Sequence, residues 1–234
     1  MAKMIGLSRN LKLPWLKYTV DLVAAGIHET ELKKKLDEYL SYEIGSPTNI
    51  RKTREILMNI WVYENQYSPD LKCEAVQLME KYPEYELCIN WCMMLIAYPV
   101  FVDMCKMIGK MSEFQEEIRI AQLKQKLFDE WGERTTLYHS IDKLVATLKN
   151  FDVLRCEKPG KYHINKMTVD NEQINVFMTY VVMKLIDSGY CSFQELNDSE
   201  YLFPFEYNVE REAIVLDDRF SISKFGGEIS ISLA

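Results

Sequence analysis

Apolar residues recur every three or four positions along most of this chain, a period that predicts a mainly helical protein. Pro14 falls in the first turn of a helix carrying Trp15, Tyr18, Leu22 and Val23, and Gly26 ends it. Thr30 or His28 opens a second helix with Leu32, Leu36, Tyr39 and Leu40 on one face and Lys33, Lys34 and Lys35 turned largely outward. "IGSPT" is a loop, with Ser46 or Thr48 as the next N-cap. A third helix then runs from Asn49 to about Glu64 over Ile56, Leu57, Ile60 and Trp61. Three more follow, over 70–81, over 84–98, and from Pro99 to about Lys110.

In the second half, Phe114, Ile118, Ala121, Leu127, Phe128 and Trp131 predict an amphipathic helix over 114–131, closed by Gly132. Leu137, Ile141, Leu144, Val145 and Leu148 then make one clean helix face. "VLRCEK" and "KYHIN" predict two short strands around Pro159-Gly160. A last long helix covers roughly 171–188. After Gly189 the stretches "YLFPFEYNV", "EAIVLDD" and "GEISISL" are β-rich, with Gly226-Gly227 as a hairpin turn. The expected fold class is therefore mainly α. A helical domain with a helix-turn-helix-like start occupies 1–111, and a winged-helix-like domain ending in small β hairpins occupies 112–234.

Composition narrows the function classes. At 234 residues, with 48% apolar and 27% charged residues, the chain is ordinary for a globular protein. A net charge of −7 argues against a protein that coats nucleic acid or anionic lipid nonspecifically. The charge is uneven, however. Residues 1–56 carry 10 basic and 7 acidic side chains and 119–166 carry 10 and 6, whereas 57–118 carry 4 and 10 and 167–234 carry 4 and 12. Any anion-binding face must come from the two basic stretches.

The longest uncharged run, Leu87 to Val102, has 16 residues and is interrupted by Pro99, short of the roughly 18–20 a membrane span needs. The six cysteines form no C-x-x-C pair and fit no disulfide framework, which points to free thiols in a reducing cytoplasm. Cys88 and Cys92 share a helix face but lie far in sequence from all three histidines, so buried thiols are expected there and no zinc site. No phosphate-cradling Gly-rich loop, H-E-x-x-H, G-x-S-x-G or kinase signature is present, and neighbouring carboxylates such as Asp217-Asp218 point in different directions. Neither an enzyme nor a cofactor is expected.

What remains is the helix and hairpin of residues 133–164. With Leu137, Ile141, Leu144 and Leu148 turned inward, Arg134, Thr135, Tyr138, His139 and Lys143 are left outside or flanking. A DNA-reading helix presents such short polar and hydrogen-bonding groups near its N-terminus, where free N–H groups and the dipole also favour a phosphate. Lys158 and Lys161 flank the hairpin tip as a basic wing. Against this, Asp142 and Glu157 would repel phosphate, and the same motif occurs in modules that bind only protein. The residues alone leave both readings open. "TNIRKTREIL" supplies a second basic helix start with Arg51, Lys52 and Arg54, although Arg54 also has Glu55 or Glu31 as ready ion-pair partners.

The order of these pieces resembles the BrxA family, accessory proteins of bacterial BREX phage-resistance systems. The similarity runs through "DLVAAGIHETELKKKLDEYL", "SPTNIRKTREIL", "INWCMMLIAYPVFVDM", "RTTLYHSIDKLVATLKNFDVL" and "KLIDSGYCSFQELNDSEYLFPFEYNV" to "EISISL", roughly residues 15–233. The resemblance implies a largely helical, non-enzymatic, cytoplasmic protein of winged-helix character that binds double-stranded DNA beside other phage-defence proteins. Its implied DNA contacts are Arg51, Lys52 and Arg54, then Arg134, Thr135, Tyr138, His139 and Lys143, with Lys158 and Lys161 as the wing. The overall acidity and the short wing depart from that picture. The alternative is an adaptor that docks on other defence components through the acidic surface of 167–234, which carries a net charge of −8.

Overall fold

The computed structural model describes residues 5–64, 68–225 and 228–234. Three helices open the chain: α1 (Leu13–Ala24), α2 (Glu29–Ser41) and α3 (Pro47–Trp61). Proline in the first turn starts α1 and α3, where its missing N–H costs no hydrogen bond. The three pack on one another, and Tyr18 of α1 stacks on Tyr39 of α2 with ring centroids 4.1 Å apart. Next come α4 (Ser68–Lys81), a 3-10 turn (Pro83–Tyr85), α5 (Glu86–Ala97) and α6 (Pro99–Ser112).

α5 has no polar face because it is surrounded: α3, α4, α6 and the later helix α9 (Glu172–Leu185) all contact it, and Cys88 to Ile96 are buried without a break. Its one polar core residue is satisfied on both sides. Asn90 Oδ1 accepts from Trp61 Nε1 at 3.0 Å, and Asn90 Nδ2 donates to the Glu86 carbonyl at 2.8 Å. Among the described residues no single helix is long and apolar enough to cross a membrane, and the chain bends by 119° between α5 and α6.

After α6 the chain runs β1 (Ile118–Arg119), α7 (Ile120–Trp131), α8 (Thr135–Asn150), β2 (Leu154–Lys158) and β3 (Lys161–Ile164). The strands form an antiparallel sheet in the order β1-β3-β2, with Ile118 opposite Tyr162 and Leu154 opposite Ile164. The single helix expected over 114–131 is therefore corrected. Phe114 is 88% exposed, so it belongs to no buried stripe, and Ile118 is buried as a strand residue. The helix face that packs is Leu123, Leu127 and Trp131, and it ends at Gly132 with φ +76°.

The rest comprises β4 (Met167–Val169), α9, β5 (Tyr190–Cys191), α10 (Phe193–Asn197), a 3-10 turn (Glu200–Leu202), β6 (Phe205–Tyr207), α11 (Arg211–Leu216), β7 (Phe220–Phe225) and β8 (Glu228–Leu233). β4 pairs with β6 in parallel, and β5-β8-β7 form an antiparallel sheet. "EAIVLDD", expected as β-rich, is largely helical. Ile214 of α11 is buried in a small core with Val176, Leu196 and Ile231, and Ala213 packs against it, a one-sided burial that a short helix satisfies. The Gly226-Gly227 turn lies outside the described residues. The main core is continuous from Ile5 to Phe205, so the helices before and after residue 112 share one apolar interior.

Candidate nucleic-acid interface

α8 buries Leu137, Ile141, Leu144 and Leu148 and leaves Thr135, Thr136, Tyr138, His139 and Asp142 exposed. Its N-cap, Arg134, is extended and offers no capping acceptor to the first-turn N–H groups. Arg134 itself is half-buried, with Nη2 donating to the Trp131 carbonyl at 3.3 Å, so its guanidinium is tied to its own chain. Lys143 is also half-buried, farther along the helix.

Tyr138 and Asp142 are braced by α7. Lys124 Nζ lies 3.7 Å from the Tyr138 ring centroid and 2.6 Å from Asp142 Oδ1, and Phe128 stacks on Tyr138 at 6.4 Å. Of the two carboxylates expected to repel a phosphate, Asp142 is thus paired and Glu157 stays exposed on the hairpin beside His163, while the tyrosine is held in place on the exposed face.

At the hairpin the two lysines differ. Lys161 is paired with Glu117 at 2.6 Å, an interaction that holds the Glu117 carboxyl below its ordinary range. Arg155 is likewise paired with Asp152 at 2.6 Å. Lys158 is exposed and has no carboxylate within ion-pair distance among the described residues. The wing therefore presents one unpaired cation.

The first basic helix start divides in the same way. Arg51 and Lys52 are exposed without ion-pair partners among the described residues. Arg54 is half-buried and bound to Asp37 and to Glu55 at 2.8 Å, the second carboxylate being held also by the Tyr63 hydroxyl at 2.9 Å. The guanidinium of Arg54 is committed to that network.

Sequence reasoning did not see what joins the start of α3 to the C-terminal half of α8. Residues 9–12 lie along the C-terminal half of α8: the Leu11 N–H donates to Thr147 Oγ1 at 2.9 Å, and Asn150 Nδ2 donates to the Leu11 carbonyl at 2.7 Å. From the same segment, Arg9 Nη2 donates to Asn49 Oδ1 in the first turn of α3 at 2.8 Å. A cleft of about 450 Å³ opens there, lined by Arg9 and Lys12, by Asn49 and Thr53 of α3, and by Lys143 of α8. Glu43 also borders it, but Lys12 and Trp15 Nε1 both bind that carboxylate and hold it below its usual range. The only signal for this segment in the sequence is the pair of apolar anchors Leu7 and Leu11 around "SRN"; both are fully buried.

No group of three or more His, Cys, Asp and Glu side chains among the described residues could hold a metal ion, and all six cysteines are free thiols. No family model matches the chain, and no curated protein and no solved structure matches it significantly.

Proposed function

We propose that the protein binds double-stranded DNA without catalysing a reaction on it, as an accessory factor of phage defence, and that residues 99–164 act as a winged helix–turn–helix unit. The element order supports this: helix, strand, helix, helix and a two-stranded hairpin, with the first strand adding to the hairpin in the order β1-β3-β2. In that arrangement α8 is the recognition helix. Its exposed first turns offer hydroxyls and an imidazole from Thr135, Thr136, Tyr138 and His139 to base edges, and uncapped N–H groups to a phosphate.

The observation that carries the reading is the polar, solvent-facing N-terminal half of α8, a helix that packs on the following hairpin, whose tip keeps Lys158 without a carboxylate partner among the described residues. Of the basic residues named from the sequence, Lys158, Lys143, Arg51 and Lys52 have no carboxylate partner among the described residues and serve for backbone contacts, so binding is driven mainly by phosphates and sequence preference is slight. Four phosphate contacts correspond to roughly a 100-fold loss of affinity between 50 and 200 mM salt. Fluorescence anisotropy with a random duplex of ~20 base pairs tests this; a folded protein that does not bind, or binds with no salt dependence, removes the reading.

A second reading rests on the C-terminal region. Val215 and Leu216 are 59% and 83% exposed between the exposed carboxylates Glu212 and Asp218, while Asp217 is paired with Arg219 at 2.6 Å. An acidic surface with exposed apolar side chains suits a protein partner, and co-purification of another defence component after nuclease treatment would favour this docking role.

A further inference from the structure

We propose that the cleft between residues 9–12, α3 and α8 is a phosphate-binding site. Its source as DNA backbone rests on the DNA reading above; its chemistry does not. Arg9 and Lys12 of one segment and Lys143 of α8 converge on it, and the one carboxylate at its edge, Glu43, is already bound by Lys12 and by the Trp15 indole. The cleft is therefore positive on balance.

Arg9 gives the site its directional donor. Each of its two terminal nitrogens spends one N–H, on the Ser8 carbonyl and on Asn49 Oδ1, and keeps a second N–H beyond those bonds for an oxyanion. Lys143 has no carboxylate within ion-pair distance among the described residues, and Thr53, 1% exposed, adds a hydroxyl to the wall.

Donors arriving from several directions suit the tetrahedral oxygens of a phosphate better than a planar carboxylate. The phosphate belongs either to a DNA backbone running from α8 toward α3 or to a free phosphorylated compound.

The four tryptophans provide the readout, since each indole N–H has its own partner: Trp15 on Glu43, Trp61 on Asn90, Trp91 on the Tyr201 carbonyl and Trp131 on Asp103. Only Trp15 lines the cleft. Inorganic pyrophosphate titrated at constant ionic strength should move the Trp15 indole cross-peak saturably and leave the other three in place. Lys143→Met should weaken that titration on the order of tenfold, as loss of one charge-assisted hydrogen bond does, and Lys143→Arg should restore it.

A duplex that moves the same peak and is competed off it by pyrophosphate identifies DNA as the source. A duplex that binds elsewhere while pyrophosphate still moves Trp15 leaves the site standing for a free phosphorylated compound. If pyrophosphate leaves Trp15 unmoved, the cleft proposal falls even if DNA binds. If pyrophosphate moves Trp15 and no duplex binds, the cleft stands and the DNA reading falls.

Discussion

Thr147 Oγ1 accepts a hydrogen bond from the Leu11 N–H at 2.9 Å, across 136 residues of sequence. The same hydroxyl donates to the Lys143 carbonyl one turn earlier, and Asn150 takes the Leu11 carbonyl. Both backbone polar groups of a buried residue are therefore satisfied by side chains of α8, and Arg9 is carried to the start of α3 as a result. Thr147→Val keeps the shape and removes the acceptor, leaving the Leu11 N–H unmade. A loss of about 1–3 kcal/mol in urea unfolding is expected, with faster hydrogen exchange over residues 9–12. An unchanged midpoint and exchange rate would mean that the segment is held by its leucines alone.

Gly109 lets α6 approach the 3-10 turn at Glu200: a Cβ built there would stand 2.7 Å from both Glu200 Cα and Cβ. Backbone cannot move aside cheaply, so Gly109→Ala should cost about 1–3 kcal/mol. Gly45 is the control, with nothing within 4 Å of an added Cβ. Its alanine variant should melt at or slightly above the wild-type temperature. Equal effects of the two variants in a thermal scan would contradict the packing described.

Lys72 is nearly buried, with Nζ donating to the Tyr63 carbonyl, and burial lowers its pKa from 10.5 to about 8, against a smaller opposing pull from Glu64. Below pH 8 the side chain is charged in both folded and unfolded states, so the folded state bears the desolvation penalty. As pH rises above 8 the folded lysine loses its proton while the unfolded one keeps it up to 10.5. The unfolded state then binds more protons, and this group's contribution to stability rises. Lys72→Met should gain on the order of 1 kcal/mol at pH 7, and its advantage should shrink by pH 10. A constant gap between the two proteins across that range would show that Lys72 does not titrate early.

Four cysteines are buried and two, Cys73 and Cys156, are exposed. Burial pushes the Cys88 thiol up to about 12 and raises Cys92 and Cys105 well above the ordinary thiol range. Thiolate is the reactive form, so a thiol reagent at pH 8 should modify Cys73 and Cys156 quickly and the other four only on unfolding. Fast modification of Cys92 by mass spectrometry would contradict the packing of α5.

The helical character of the chain is legible wherever one face is apolar, as along α3 and α8, and wherever Pro or Gly marks an end, as at Pro14 and Gly132. The failures have local causes. At 114–119 an exposed Phe114 and a strand residue, Ile118, happened to fall at helical spacing. In "EAIVLDD" a β-favouring composition gave way to a short helix that buries only Ile214. Of the candidate interface, the exposed residues of α8 and Lys158 were readable from pattern alone. The pairing of Arg54 with Glu55 was readable too, but its second carboxylate, Asp37, and the fates of Arg134 and Lys161 were not, because Asp37, the Trp131 carbonyl and Glu117 are brought to them by the fold. The cleft was illegible for the same reason: Arg9, Thr53 and Lys143 come together only when Leu11 seats on α8.

The central claim is that α8 and the wing face DNA, and a pair of charge variants tests it most directly. His139→Glu/Lys158→Glu changes the proposed face; Gln194→Glu/Lys224→Glu makes the same change in charge at exposed positions of the C-terminal region. With duplex anisotropy at physiological salt, where exposed charges more than about 8 Å apart are largely screened, the first variant should bind on the order of 10- to 100-fold more weakly. The second should bind like the wild type. Equal weakening of both, or no effect of the first, would contradict the claim.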